Sequence, residues 1–224
     1  MLSSLLSGSL GFSGAVIYIV SSLIVIFLTM PVHEFAHGYA AVKLGDNTPK
    51  WQGRLSLSPF AHIDYLGALC ILLFGFGWAR PVGVNTSNFR NPKRDMALVA
   101  LAGPLSNIIL AFISLLFFYL VQFVLFKTVF TYIGLIFFYI ARINVGLAVF
   151  NLIPIPPLDG SRLLSALLPY KQYYALMRYE RYIFWGLIAL IYVGVLDVPL
   201  EFLTNAVING LSFIAKLPFM FFIG

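Results

Sequence analysis

Long apolar runs, separated by short polar stretches, dominate this sequence. The runs cover residues 12–42, 66–79, 96–126, 129–152, 183–196 and 207–222. A helix rises about 1.5 Å per residue and a bilayer core is about 30 Å thick, so roughly twenty apolar residues cross it. None of the runs alternates between apolar and polar positions as barrel strands do, so the pattern predicts membrane-spanning helices.

The first run is longer than a membrane crossing requires, so its last third should reach or pass the interface. Pro31 lies inside it and should kink the helix, because proline removes a backbone donor. No Lys or Arg precedes Lys43, whereas a secretory signal needs a basic start and a cleavage site. We therefore expect a helix that is retained.

The run at residues 66–79 is too short for an ordinary span and contains three glycines. Basic residues flank it on both sides, so the positive-inside rule favours a re-entrant segment. The same rule predicts that the N-terminus and residues 197–205 lie outside, and that residues 80–95, residues 153–181 and the C-terminus lie inside. Lys127 is then the one basic residue on the wrong side.

Residues 43–65 are polar and rich in turn-forming residues. Within them, residues 54–58 alternate as a short strand would, and such a strand is a candidate to pair with an extended substrate. The sequence as a whole therefore predicts an all-α fold, a polytopic membrane helical bundle with a short β element after the first helix. We expect about five to six membrane segments, one of them re-entrant, in a single domain over residues 1–224.

Composition supports the membrane assignment. The chain is 61% hydrophobic and 10% charged, against roughly 45–50% and about 25% in soluble domains. The net charge of +6 fits basic loops on the cytoplasmic side better than nucleic-acid binding. The single cysteine, Cys70, excludes an internal disulfide and a zinc site built from thiolates.

The candidate chemistry begins with His33-Glu34-Phe35-Ala36-His37, an H-E-x-x-H pattern. On a helix the two histidines share one face and can hold one zinc ion, while Glu34 can take a proton from the attacking water. Three polar groups at one membrane depth are costly without partners, which favours a functional site over a polar cluster that only links helices.

A catalytic zinc needs a third protein ligand. Among the carboxylates and the remaining histidine, only Asp159 follows an apolar run at its cytoplasmic end, next to three prolines and Gly160. Elimination favours Asp159, with His62 as the second candidate. The alternative is that Asp159 only caps the helix that follows.

These motifs resemble the site-2 protease family of intramembrane metalloproteases. The resemblance rests on H-E-x-x-H, on Asn151 to Gly160 as an N-x-x-P-x-x-x-x-D-G-type motif, and on the stretches 102–107 and 77–82. It covers roughly residues 15–170. It implies one zinc ion per chain, held by His33, His37 and Asp159, and hydrolysis of peptide bonds in a membrane-spanning protein substrate.

The resemblance also implies an enzyme that is integral to the lipid bilayer. The chain has no room for the PDZ or CBS domains of many members, and residues 1–11 are too short for the extra first helix that some have. We expect a prokaryotic cell membrane, with the active site toward the cytoplasm.

Asn107 and Asn151 are candidate partners for the substrate backbone or an oxyanion, or alternatively amides that bridge helices. The competing functional hypothesis is a zinc-binding membrane protein without proteolytic activity, either an inactive relative, a carrier or a scaffold that binds spanning helices. An inactive relative would usually lack Glu34 or a ligand, and this chain keeps all of them. A carrier should show further carboxylates or histidines along a path, and the sequence shows none.

Overall fold

The computed structural model describes residues 11–74, 78–125 and 128–222. The helices in these ranges are α1 (Phe12–Ile24), α2 (Met30–Lys43), α3 (Thr48–Trp51), α4 (Pro59–His62), α5 (Tyr65–Phe74), α6 (Pro92–Leu120), α7 (Thr128–Asn151), α8 (Asp159–Leu167), α9 (Tyr170–Arg178), α10 (Glu180–Val193) and α11 (Asp197–Lys216). A π-helical turn, Val25–Thr29, joins α1 to α2, and a second, Val121–Leu125, follows α6. Short 3-10 turns cover Thr86–Asn88 and Leu217–Phe222.

Four helical stretches are long and apolar enough to cross a membrane. They are Phe12–Lys43, Pro92–Phe123, Thr131–Asn151 and Asp197–Met220. The predicted spans at 66–79 and 183–196 correspond to α5, with 10 residues, and α10, with 14 residues. At about 1.5 Å per residue both are shorter than the bilayer core. The predicted count of five to six segments therefore becomes four helices of spanning length and two shorter ones in the described ranges.

The predicted β element is not confirmed, because the described part of the chain contains no strand. Local contacts occupy the backbone of residues 54–58 instead. The amide of Arg54 donates to the carbonyl of Pro49 at 2.8 Å, and Nε2 of His62 donates to the carbonyl of Ser56 at 2.8 Å. Without a neighbouring strand, this alternating segment is irregular, with a bend at Leu55.

The polar stretch 197–205 separates the last two apolar runs, which predicts a turn between two helices. That prediction is wrong, since these residues form the start of α11. The reason is Arg142 of α7. Its Nη1 donates to Oδ1 of Asn205 at 2.8 Å, and its Nη2 lies 3.3 Å from Oε1 of Glu201. The helix can begin before its apolar part because its polar residues have a partner on α7. The predicted side of Lys127 concerns a residue outside the described ranges.

A kink is predicted at Pro31, and a π-helical turn, Val25–Thr29, lies just before this proline. Pro31 lies in the first turn of α2, where its missing N–H matters least. The Oγ1 of Thr29 donates to the carbonyl of Val25 at 3.0 Å. Apart from this turn, helical structure is continuous from Phe12 to Lys43, as the first apolar run predicts.

The helices α6 and α7 form an antiparallel hairpin at the centre of the bundle. Small buried residues, Ala111 on α6 and Ala141 on α7, let the two helices approach closely, and Ile208 and Ala215 of α11 join the same cluster. Both α2 and α8 pack against α6. The histidine-bearing helix and the helix that begins with Asp159 therefore meet on one central support.

Candidate metal centre

The two histidines of the H-E-x-x-H pattern lie on the buried face of α2. His33, Glu34 and His37 each expose 8% of their surface. The imidazole Nε2 atoms of His33 and His37 are 3.0 Å apart. A spacing of four residues places both rings on one face of the helix, about one turn apart, so that their Nε2 atoms face the same metal position.

The helix α6 fixes the orientation of one imidazole. Nδ1 of His37 donates to the backbone carbonyl of Val99 at 2.7 Å. This hydrogen bond selects the tautomer whose Nε2 lone pair is free for a metal, the usual arrangement of a ligating histidine. Nδ1 of His33 is buried without a hydrogen-bond partner among the described residues.

Gly103, also on α6, lies directly behind both rings. A Cβ atom at this position would overlap Nε2 of His37 and would lie 2.6 Å from Nε2 of His33. Only glycine lets α6 come so close. Gly103 lies in the stretch 102–107 that resembles the site-2 protease family, but the sequence alone does not reveal its role. Its isolated position inside an apolar helical run is the only sequence feature that indicates one.

The proline-rich turn after α7 brings Asp159 to the histidines. Its Oδ2 lies 3.2 Å from Nε2 of His33 and 3.3 Å from Nε2 of His37. The turn contains a cis peptide bond between Pro156 and Pro157. Gly160 permits a close approach of two backbone segments, because a Cβ there would lie 2.5 Å from the carbonyl oxygen of Ile153.

The described part of the chain contains one group of at least three His, Cys, Asp or Glu side chains that could hold a metal, and it consists of His33, His37 and Asp159. The second candidate, His62, is not in it. His62 is buried at the end of α4, where its Nε2 donates to the carbonyl of Ser56. Asp159 begins α8 and directs its carboxylate to the histidines, so the capping alternative does not describe its contacts.

The three donor atoms fit a zinc ion. Imidazole nitrogens and carboxylate oxygens bind zinc at about 2.0–2.2 Å in tetrahedral geometry, which separates two donors by roughly 3.3–3.6 Å. The observed separations of 3.0, 3.2 and 3.3 Å lie at or slightly below this range. Two nitrogens and one oxygen are also a donor set that zinc accepts, with a fourth position left for water or substrate.

Glu34 lines the same cavity as His33 and Asp159 and is held by a backbone amide. Its Oε2 accepts a hydrogen bond from the backbone N–H of Val82 at 3.2 Å. The segment that contains Val82 is itself anchored by Asp46, a fully buried carboxylate that accepts from the N–H of Asn85 and the Nδ2 of Asn88, both at 2.7 Å. From the sequence alone, Asp46 is one more carboxylate in a polar loop.

A largely apolar cavity of about 220 Å³ opens beside the three donor atoms. Both predicted asparagines line it, Asn107 from α6 and Asn151 from the end of α7. Asn107 is 2% exposed and its Oδ1 has no hydrogen-bond partner among the described residues. A buried amide with a free acceptor at a cavity wall is available to a ligand's N–H group.

Comparison with known proteins gives a consistent picture. The model of Peptidase family M50 matches residues 127–193, a stretch that includes Asp159 but not His33. YwhC of Bacillus subtilis is 45% identical over 157 residues, which are 68% of this chain and 69% of that protein. MJ0611 of Methanocaldococcus jannaschii is 31% identical over 67% of this chain and 72% of its own length. Rip2 of Mycobacterium tuberculosis is 30% identical over 75% of this chain and 68% of its own length.

All three relatives carry the name "Putative zinc metalloprotease". No solved structure matches the chain.

Proposed function

Because the chain belongs to peptidase family M50, we propose that it is an intramembrane zinc metallopeptidase that hydrolyses peptide bonds in membrane-spanning segments of proteins. The observation that carries the proposal is the convergence of three donor atoms, on His33, His37 and Asp159, at separations of 3.0 to 3.3 Å. They converge within a bundle whose described part has four helices long and apolar enough to cross a membrane.

In this proposal His33, His37 and Asp159 hold one zinc ion per chain. When bound, zinc supplies a Lewis acid that polarises a carbonyl group and makes water more acidic. The hydrogen bond from His37 to the carbonyl of Val99 keeps the ring in the ligating tautomer. Asp159 adds one negative charge, so the three ligands leave the centre with a net positive charge that favours attack by water.

Glu34 is the general base. It takes a proton from the attacking water and passes it to the nitrogen of the leaving amine, as a carboxylate beside the reacting atoms can. The N–H of Val82 donates to the carboxylate of Glu34 and holds it in place. Because Val82 also lines a cavity at the metal centre, this contact couples the base to the wall of the site.

The apolar cavity is the proposed substrate site. Helix α10 contributes Phe184, Leu187 and Ile188 to its wall, which suits an apolar segment that arrives from the bilayer. The substrate has to unwind around the scissile bond, and its freed N–H and C=O groups need partners that lipid does not provide. Asn107 and Asn151 are placed at the cavity to supply them.

The test combines metal content with cleavage. We expect about one zinc per chain in detergent-purified wild type and in Glu34→Gln, and loss of zinc in Asp159→Ala. Cleavage of a membrane-spanning peptide should fall at least about a hundredfold in Glu34→Gln. Full zinc retention in Asp159→Ala would contradict the ligand assignment. Undiminished cleavage by Glu34→Gln would contradict the mechanism.

The same pair of measurements separates a peptidase from a zinc-binding membrane protein without proteolytic activity. Such a protein would bind zinc in the wild type and in Glu34→Gln and would cleave no peptide in either form.

A further inference from the structure

A second cavity, of about 370 Å³, meets the apolar cavity at the metal centre. Glu34, Pro81, Pro157 and Asp159 line both cavities, so the two spaces adjoin each other at the candidate base and one ligand. An extended peptide that occupies one cavity and passes the centre would continue into the other.

The two cavities differ in chemistry. The apolar cavity is walled by side chains of α10, and no Lys or Arg lines it. The second cavity, which we call the polar cavity, is lined by the irregular segment Val82 to Val84 and by Arg162 of α8. Apolar residues of a cleaved segment suit the first space, and the polar residues that flank such a segment suit the second.

Among the residues that the structure describes, Arg162 is the only Lys or Arg that lines either cavity. It is partly buried and lies three residues after Asp159 on the same face of α8. Within the described ranges it forms no hydrogen bond and no ion pair, whereas the two carboxylates that line the same cavity, Glu34 and Asp159, are engaged. Glu34 accepts from Val82, and Asp159 contacts the two histidines.

An unpaired guanidinium in a partly buried cavity is costly unless a ligand satisfies it. Its planar fork of N–H donors matches a carboxylate, with which it forms two parallel hydrogen bonds. We propose that Arg162 binds a carboxylate of the substrate peptide on the side of the scissile bond that lies in the polar cavity. This inference rests on the proposed peptidase function, whose substrate class it makes more specific.

The carboxylate has two possible sources, an acidic side chain that flanks the apolar segment or a free terminal carboxylate of a peptide. We would measure the binding of fluorescent peptides to full-length, zinc-loaded Glu34→Gln protein, which does not turn them over in the proposed mechanism. Each peptide has twenty Leu and Ala residues, an acetylated N-terminus and one polar flank. In the first set the flank is C-terminal, as Asp-Asp, Asn-Asn or Lys-Lys with an amidated end, or as Asn-Asn with a free carboxylate. In the second set the C-terminus is amidated and the flank, Asp-Asp, Asn-Asn or Lys-Lys, is N-terminal.

We expect at least one carboxylate-bearing peptide to bind about tenfold more tightly than the amidated Asn-Asn peptide, and Arg162→Gln to abolish this preference. Arg162→Glu should reverse it in favour of the Lys-Lys peptide, an effect that a merely structural role of Arg162 would not produce. Arg178→Gln is the matched control, because Arg178 is exposed on α9 and lines neither cavity.

The inference is overturned if the preference for a carboxylate survives in Arg162→Gln, if Arg178→Gln removes it equally, or if no peptide prefers a carboxylate. Which of the two carboxylate peptides loses affinity in Arg162→Gln identifies the source. Each of these results leaves the proposed function standing, because that function is judged by zinc content and by cleavage in the wild type.

Discussion

Gly103 determines how close the central helix α6 comes to the histidines of the metal centre. The absent side chain leaves the two imidazole Nε2 atoms room to face Asp159, since any Cβ would overlap the ring of His37. The glycine weakens a helix interior by roughly 0.5–1 kcal/mol relative to alanine. This loss of helix stability is acceptable at a position where the lack of a side chain leaves room for two metal ligands.

We predict that Gly103→Ala lowers the affinity for zinc about tenfold to a hundredfold, the range seen when the support of a metal ligand is disturbed. The measurement is competition with a chromogenic chelator on folded, purified protein. Gly146→Ala on α7 is the matched control, because no heavy atom lies within 4 Å of the Cβ that it adds. Unchanged zinc affinity in Gly103→Ala would refute the role assigned to this glycine.

Asp46 has a comparable supporting role on the other side of the site. Burial raises the pKa of its carboxyl, but hydrogen bonds from Thr48, Asn88 and Asn85 lower it by more, so the pKa lies below its ordinary value. A carboxyl with a lowered pKa stabilises the folded state above its unfolded pKa of about 3.9, and this contribution is lost as the pH falls through the folded pKa.

We therefore predict that Asp46→Asn lowers the free energy of unfolding by about 1–3 kcal/mol at neutral pH, because buried donors lose a charged acceptor. The difference from wild type should shrink below about pH 4. Denaturant unfolding in detergent at several pH values measures it, with the exposed Asp197→Asn as control. A difference that stays constant down to pH 3 would contradict the argument.

At the residue scale, the sequence was sufficient to predict which side chains lie together at the centre. His33 and His37 follow from helical spacing, and Asp159 follows from elimination among few carboxylates. Gly103 and Asp46 could not be assigned a role in the same way. Their roles depend on which helix or loop lies opposite, which is a tertiary fact that local spacing does not contain.

At the scale of helices, Arg142 shows how a polar side chain positions one helix on another. It hydrogen-bonds Asn205 at 2.8 Å and lies 3.3 Å from Glu201, so α7 holds the second and third turns of α11. In a bilayer an arginine without a partner would be costly. The pairing explains why α11 begins at Asp197, ten residues before the predicted span.

A double-mutant cycle of Arg142→Leu and Asn205→Leu should give a coupling energy of about 0.5–2 kcal/mol, the range measured for hydrogen bonds between membrane helices. The measurement is unfolding of each variant in mixed micelles under an SDS gradient. The two single variants and the double variant serve as one another's controls. Additive effects of the two substitutions would show that the contact does not join the helices.

The prediction of helices was more reliable than the prediction of their ends. Long apolar runs without alternation yielded α1, α6 and α7, because a spanning helix depends mainly on continuous hydropathy. The strand expected at residues 54–58 did not form, since a strand needs a partner that alternation alone does not supply. The contacts of Arg142 with Glu201 and Asn205 join residues far apart in the sequence, so the local pattern could not predict the longer α11 either.

At the scale of the whole molecule, the apolar cavity lies between the central hairpin and α10. The ring of Trp78, from the segment before Val82, meets the ring of Phe184 on α10 edge to face, with centroids 5.8 Å apart. Trp78 and Phe184 both line the cavity. A helix of 14 residues is shorter than the bilayer core, so α10 forms a short wall beside the site.

We predict that Ile188→Trp, which places a larger ring in the cavity wall, lowers cleavage of a membrane-spanning peptide at least about tenfold while zinc content stays at wild-type level. Leu190→Trp on the exposed side of the same helix is the matched control. Equal cleavage by both variants, or equal loss in both, would show that the cavity is not the substrate site.

The membrane character of the molecule was evident from composition, and four helices of spanning length support it. The arrangement of these helices could not be predicted from the sequence. That α2 and α8 both pack on α6 follows from side-chain complementarity across the bundle. The predicted orientation, with the active site toward the cytoplasm, stays a prediction from the distribution of charge.

The π-helical turn at Val25–Thr29 has a consequence for how this chain can evolve. Such a turn holds one residue more than an α-helical turn, and it sets the phase between Tyr18, which packs on α7, and the histidines of α2. Loss of a single codon here would rotate one part against the other by about 100°, although length, hydropathy and the H-E-x-x-H motif would hardly change. Across generations this stretch should accept apolar substitutions of similar size more readily than gaps, since Val25 and Ile26 are buried.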